Sequence, residues 1–405
     1  MASRATAARS LAAALLVAAL AVLAAGARGA APDSTAADSA AAPAPPPVAA
    51  GAAAAPADWD TLAAGLPEQV IFGFAPRLAY DRADGPLLGG DAGFRRRKDV
   101  ASLVHAWAGY AVSRERGLGG AGFEIPLGYR GVFRIGAEVY RTTATPDDWI
   151  VGRTENTFFA LFARTDYMDW YEAEGGEARL RWNPGRDAAF SIRARIESQS
   201  SLRTRTRVAL FGKDDRFRPM PPLQDGDLGA WTVDARVGPE TLPPRGGTNG
   251  TIAFERAGDP IARDFVYSRL SAAVRTLIRL SPHQTIRARA LVGSTREGSL
   301  PPQAVWHVGG IGTLRALDYK AFGGDQYFLA NAEYYLLARK NLYPMAFLDW
   351  GAAWFGRDNL SRQKPALDGG VGLRLGEGPL LFTLGRDLGR SSAPLRFGVR
   401  LGGTF

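Results

Sequence analysis

The sequence predicts an all-β fold: an outer-membrane type transmembrane antiparallel β-barrel of about sixteen strands, each of the ~10-residue length such barrels use. Three observations carry that expectation. The amino end reads as an export signal. Apolar and polar residues alternate with period 2 along most of the chain beyond residue 67. No later segment offers a long uncharged apolar stretch for a spanning helix. With 405 residues, 48 Gly, 26 Pro and a formal charge of +9, the chain is long and basic. It has no cysteine, which excludes disulfides, thiol catalysis and cysteine-held metals.

Taking the elements in order, Arg4 and Arg9 precede an apolar run from Leu11 to Ala25, and Ala25, Gly26 and Ala27 fit a small-residue cleavage pattern. Residues 1–27 therefore read as a secretory signal peptide. The run is shorter than the roughly 20 residues of a membrane anchor. Residues 28–66 are Ala/Pro-rich ("AAAPAPPPVAAGAAAAPA") and bury too little apolar surface to offset the entropy of ordering, so a disordered tail is expected. Residues 67–405 form the expected barrel.

Within that segment the alternation is explicit. Phe190, Ile192, Ala194 and Ile196 share one strand face, and Ser191, Arg193, Arg195 and Glu197 share the other. Leu270, Ala272, Val274, Ile278 and Leu280 oppose Arg269, Ser271, Arg275 and Arg279; Arg287 and Arg289 continue the polar face. A soluble sandwich shows the same period with its apolar face inward. The lightly built Ala/Gly-rich apolar faces and the export signal favour the membrane barrel. So do aromatics near strand ends (Tyr267, Tyr334, Trp350, Trp354, Phe405), expected as interface girdles. With an even strand count, the long polar connections at about 145–174, 201–227, 293–325 and 356–365 fall on one side, expected to be external. The segment around 145–174 breaks the strand pattern: Thr154 is placed to cap a short helix bearing Phe158, Leu161 and Phe162. It reads either as a lid or plug or as a loop packed on the rim.

Four motifs then occur in a recognisable order: "YDRADGPLLGGD" (Tyr80 to Asp91), "GGIGTLRALDYKAFGGDQYFLANAEYYL" (Gly309 to Leu336), "FLDWGAAW" (Phe347 to Trp354) and the closing "LRFGVRLGGTF". In these the chain resembles the BamA/TamA-type outer-membrane assembly barrels, the bacterial surface-antigen family. The resemblance implies a loop whose arginine reaches into the barrel to pair with acidic residues of the next two strands. Here those positions are Arg315, Glu333 and Asp349, a structural loop-to-lumen lock. Parity independently turns Glu333 and Asp349 to the lumen, because Phe328, Ala330, Ala332, Tyr334 and Leu336, and likewise Ala346, Leu348 and Trp350, form the apolar faces. On parity alone, a solvated Arg315 above a wet pore is an equal reading. Arginine suits the pairing because its planar fork matches carboxylate oxygens and stays ionised. Gly309, Gly310, Gly312, Gly323 and Gly324 are expected to let the loop fold back. Ala316 stands where the family usually has glycine, so a different turn is expected there. The terminal Phe405 matches the family's C-terminal barrel signal.

The implied function is assistance in outer-membrane assembly, protein insertion or translocation, at the bacterial outer membrane. Expected partners are outer-membrane lipid and client outer-membrane proteins or lipids. Between the expected cleavage site and the first strand there is no room for the periplasmic POTRA domains that capture clients in such proteins. The rival reading is a passive or anion-preferring pore, or a structural barrel, with Arg374, Arg396 and Arg400 adding to a basic lumen unless neighbouring carboxylates offset them. No enzyme activity is expected: there is no G-x-S-x-G elbow, and His105, His283 and His307 show no metal-ligand spacing. No cofactor, metal or nucleic-acid partner is expected, since alternating basic strand residues make no nucleic-acid motif.

Overall fold

A computed structural model of the protein describes residues 72–401, apart from 96–102, 129–131, 186, 213–215, 244–245, 259–263, 338–340, 358–363 and 377–379. The expected signal peptide, the tail and Phe405 lie outside the described residues. The strands are β1 (Phe72–Asp81), β2 (Gly85–Arg95), β3 (Leu103–Ala111), β4 (Arg116–Leu127), β5 (Phe133–Ala144), β6 (Tyr171–Gly185), β7 (Ala188–Ser201), β8 (Gly226–Val237) and β9 (Gly247–Ala257). They continue with β10 (Tyr267–Ser281), β11 (Gln284–Gly298), the short β12 (Trp306–Val308) and β13 (Phe322–Gly324), β14 (Gln326–Leu336), β15 (Leu342–Trp354), β16 (Ala366–Leu375), β17 (Leu380–Asp387) and β18 (Arg396–Leu401). All but β12 and β13 join one antiparallel sheet of 16 strands in chain order; those two form a small hairpin inside the β11–β14 loop. Among the described residues one α-helix, α1 (Arg153–Ala163), lies between β5 and β6.

Side-chain polarity is inverted relative to a soluble sandwich. Phe190, Ile192 and Ile196 on β7 and Ile278 and Leu280 on β10 are exposed, whereas Glu197, Arg289, Asn331, Glu333, Asp349 and Asp368 are buried. An apolar outside with a charged inside is the arrangement a barrel needs in lipid. The interior is knitted by ion pairs that run around the wall. Arg193 lies between Glu177 and Asp234, Arg195 approaches Glu197 and Glu255, and Arg269 meets Glu255 at 2.8 Å. Most of these lumen arginines are thus offset by carboxylates of neighbouring strands.

Connections differ sharply between the two ends. β10 and β11 are joined by a tight turn with Ser281 opposite Gln284, whereas β5–β6, β7–β8 and β11–β14 carry long loops at the opposite end. At the turn end Phe133, Trp182 and Phe190 stack across three outward-facing strands, with centroids 6.2 and 5.2 Å apart. The expected aromatic girdle is corrected in two places. Tyr267 points inward, where its hydroxyl donates to Glu255 at 2.8 Å, because it shares the parity of Arg269. Trp354 is buried, with Phe328 against its ring. The helix start also differs: Gly152 is the N-cap and Thr154 lies inside α1. Among the described residues no ladder joins β1 to β18, which stand at the two ends of the sheet.

Candidate functional site

The β11–β14 loop enters the lumen as a tongue. Its reversal uses positive φ at Gly309 (128°), Gly310 (76°) and Gly312 (80°), a region costly for other residues. Gly323 and Gly324 serve differently: neither has positive φ, and a Cβ on Gly324 would strike the Trp354 backbone. Ala316 also lacks positive φ, so the turn asks no glycine there. Leu314 anchors the tongue in an apolar cluster with Val308, Tyr327 and Leu329.

This delivers Arg315 to the wall. Its Nε and Nη2 donate to Asp349 Oδ2 and Oδ1 at 2.7 and 2.6 Å, and Nη1 donates to Glu333 Oε1 at 2.6 Å. The guanidinium also lies 4.0 Å from the Phe347 ring centroid. Paired charge-assisted bonds of this form are the strong kind. Glu333 on β14 and Asp349 on β15 both point inward, and the structure brings all three side chains together.

Further residues complete the cluster. Asn331 donates to Asp349 Oδ1 and to the Thr313 carbonyl, each at 2.7 Å. Asp368 on β16 accepts the Ala316 N–H at 2.6 Å. Arg289 donates to Asn331 Oδ1 at 2.8 Å and to the Gly312 carbonyl. Tyr335 donates to Glu333 Oε2 at 2.9 Å. The sequence held a signal for Asp368, which shares strand parity with the lumen residue Arg374; the contacts of Arg289 with the tongue had none.

Above the tongue, four loops meet in a charged cap. Asp81 accepts the N–H groups of Ala83 and Asp84, forming an Asx-type turn that presents Arg82 at its tip. The fully buried Arg82 donates to the Asp166 carbonyl and to Asp169 Oδ1, at 2.9 and 2.8 Å. Lys320 bridges Asp147 and Asp169 at 2.7 and 2.5 Å, and Arg218 meets Asp169 at 2.6 Å. Burial opposes ionisation of Asp169, but Lys320 and then Arg218 outweigh it and hold the carboxyl down at about 2. His307, on β12 nearby, is pushed below its ordinary value by burial and by Lys320.

No protein-family model and no curated protein matches the chain. Among solved structures it is similar to BamA from Haemophilus ducreyi lacking POTRA domains 1-3, with a TM-score of 0.57 at 11% identity, covering 84% of this chain and 71% of that one. It is also similar to CdiB from Acinetobacter baumannii (TM-score 0.44, 14% identity, 82% of this chain and 59% of that one). A third likeness is to CdiB from Escherichia coli (TM-score 0.46, 13% identity, 83% of this chain and 62% of that one). The chain therefore spans less than two thirds of either CdiB chain. The first of these likenesses establishes the architecture: this chain folds as a sixteen-stranded barrel of the BamA kind.

Proposed function

We propose that the protein is an outer-membrane barrel of the assembly type, assisting the insertion or passage of protein or lipid at the bacterial outer membrane. The observation that carries this reading is the absence, among the described residues, of a ladder between β1 and β18. An unpaired edge on each side of one seam is a template for an extended segment. The Arg315, Glu333 and Asp349 cluster acts as a lock, fixing the tongue so that the lumen side keeps its shape while the seam changes. The motif order in the sequence supports the same reading, as does the outward apolar belt, which suits outer-membrane lipid. The test is a disulfide engineered between β1 and β18 in this cysteine-free chain. Envelope protein assembly in cells depending on the oxidised variant should fall to background and recover on reduction. Unchanged assembly with a fully formed cross-link refutes the proposal.

One observation favours a pore that prefers anions. Arg275 on β10 sits directly opposite Arg289 on β11, and among the described residues neither Arg275 nor Arg287 forms an ion pair. Single-channel recording separates the two readings. Large, stable, anion-selective conductance supports the pore, and negligible or flickering conductance supports a barrel obstructed by its tongue and cap.

A further inference from the structure

Helix α1 touches the free edges of both terminal strands. On β1, Tyr80 lies opposite Pro86 of β2, and its N–H donates to Thr157 Oγ1 of the helix at 3.2 Å. On β18, the Leu401 N–H donates to Glu155 Oε1 at 2.7 Å, and Arg400 brackets the same carboxylate through Nε and Nη2 at 2.9 and 3.0 Å. Residues two apart in a helix point about 200° apart. Thr157 and Glu155 therefore face opposite sides, one toward each edge, and α1 stands between them. Glu155 is only 3% exposed and lies in the first turn, where the helix dipole favours a negative charge.

The helix is held in that place from the rim. The N–H groups of Leu210 and Phe211, in the β7–β8 loop, donate to the carbonyls of Leu161 and Phe162 at its carboxyl end, at 2.8 and 3.0 Å. Asn156 binds Asp166 and the Tyr167 N–H, at 2.9 and 2.7 Å, tying the helix to the charged cap. Ala160 packs with Tyr80 and Phe217. A strand edge facing hydrocarbon cannot leave its N–H groups unpaired. Here the N–H groups of Tyr80 and Leu401 are satisfied by side chains of a helix rather than by another strand.

We propose that α1 is a resident gate: it occupies the gap between β1 and β18 that an added extended segment would take, with Glu155 as its catch on Arg400. This deepens the assembly reading of the seam and rests on it. Entry of a strand requires α1 to withdraw, exchanging the Thr157 and Glu155 contacts for backbone pairing.

The experiment uses the full chain in phosphatidylethanolamine/phosphatidylglycerol vesicles and compares wild type with Glu155→Gln, Arg400→Gln and the double variant. The double variant removes both charges together, so no buried ion is stranded and folding is retained even where a single variant fails. Heat-modifiable gel mobility identifies the folded species. The first readout is hydrogen exchange of the peptides that contain Tyr80 and Leu401. It should speed up at least tenfold in each folded variant while the β14–β15 peptides stay unchanged. The second is binding of a synthetic peptide with the sequence of residues 395–405, an extended probe of alternating polarity, which should tighten at least tenfold. Exchange within twofold of wild type in the double variant overturns the contact as a catch. Faster exchange with unaltered peptide affinity also overturns the gate, leaving α1 as a cap. Neither result bears on the β1–β18 disulfide experiment, which judges the assembly reading separately.

Discussion

Replacing Arg315 by alanine removes the one cation that faces both Glu333 and Asp349 at under 3 Å. Its three charge-assisted bonds would each contribute on the order of 1.5–3 kcal/mol net if they acted separately. They share one guanidinium and its desolvation cost, so the sum overstates the loss. Breaking a buried pair by deleting one partner typically costs about 3–5 kcal/mol, because it strands the other charge. Both carboxylates are almost fully buried, so we expect Arg315→Ala to fall in that range. Arg315→Lys keeps the charge but loses the fork, and should lie between the alanine variant and wild type. The triple variant Arg315→Met, Glu333→Gln, Asp349→Asn strands no ion and should recover most of the loss. The assay is urea unfolding in detergent micelles, followed by gel mobility and tryptophan fluorescence. If Arg315→Ala lies within about 0.5 kcal/mol of wild type, the range of an ordinary surface substitution, the lock is refuted.

Ile196→Arg places a charge on the outer face near the middle of β7, and is expected to cost about 2–4 kcal/mol in a bilayer; no effect there would mean that this face does not meet lipid. Asp169 gives a pH signature. Its folded value near 2 lies below the ~3.9 of an unfolded aspartate, so its contribution of about 2–3 kcal/mol is complete above pH ~4 and is lost as pH falls toward 2. Asp169→Asn should flatten that part of the acid-unfolding curve, and a curve parallel to wild type would contradict the assignment. Gly312→Ala combines a positive φ with a Cβ aimed at the Ile150 carbonyl. It should therefore loosen the tongue, read as faster proteolysis within 309–325, and unaltered proteolysis would contradict the close fit.

What could be read in the sequence follows from locality. Period 2 needs only neighbouring residues, so the inward aim of Glu333 and Asp349 was legible, as were the strand number and the two faces of β7 and β10. The meeting of Arg315 with its partners came from motif order, since no local pattern links a loop residue to strands 18 and 34 residues away. Tyr267 was misassigned because proximity to a strand end was weighed above parity, and parity with Arg269 decides. The charged cap and the Glu155 contact with Arg400 left no trace, because Arg82 and Lys320 lie 84 to 173 residues from their acidic partners and Arg400 lies 245 from Glu155. In α1, the helical spacing of Phe158, Leu161 and Phe162 drew attention to an aromatic stripe, whereas the helix buries Glu155, Asn156 and Ala160.

Arg82 sits at the first hairpin turn, yet its carboxylates arrive only with the β5–β6 loop, and Lys320, which shares Asp169 with it, follows much later. Until then this cation has nowhere dry to go. The earliest hairpin must therefore stay hydrated at its tip until the β5–β6 loop is in place, since closing so long a loop costs entropy before any contact rewards it. The roof over the lumen is thus completed only when the β11–β14 loop brings Lys320 to Asp169.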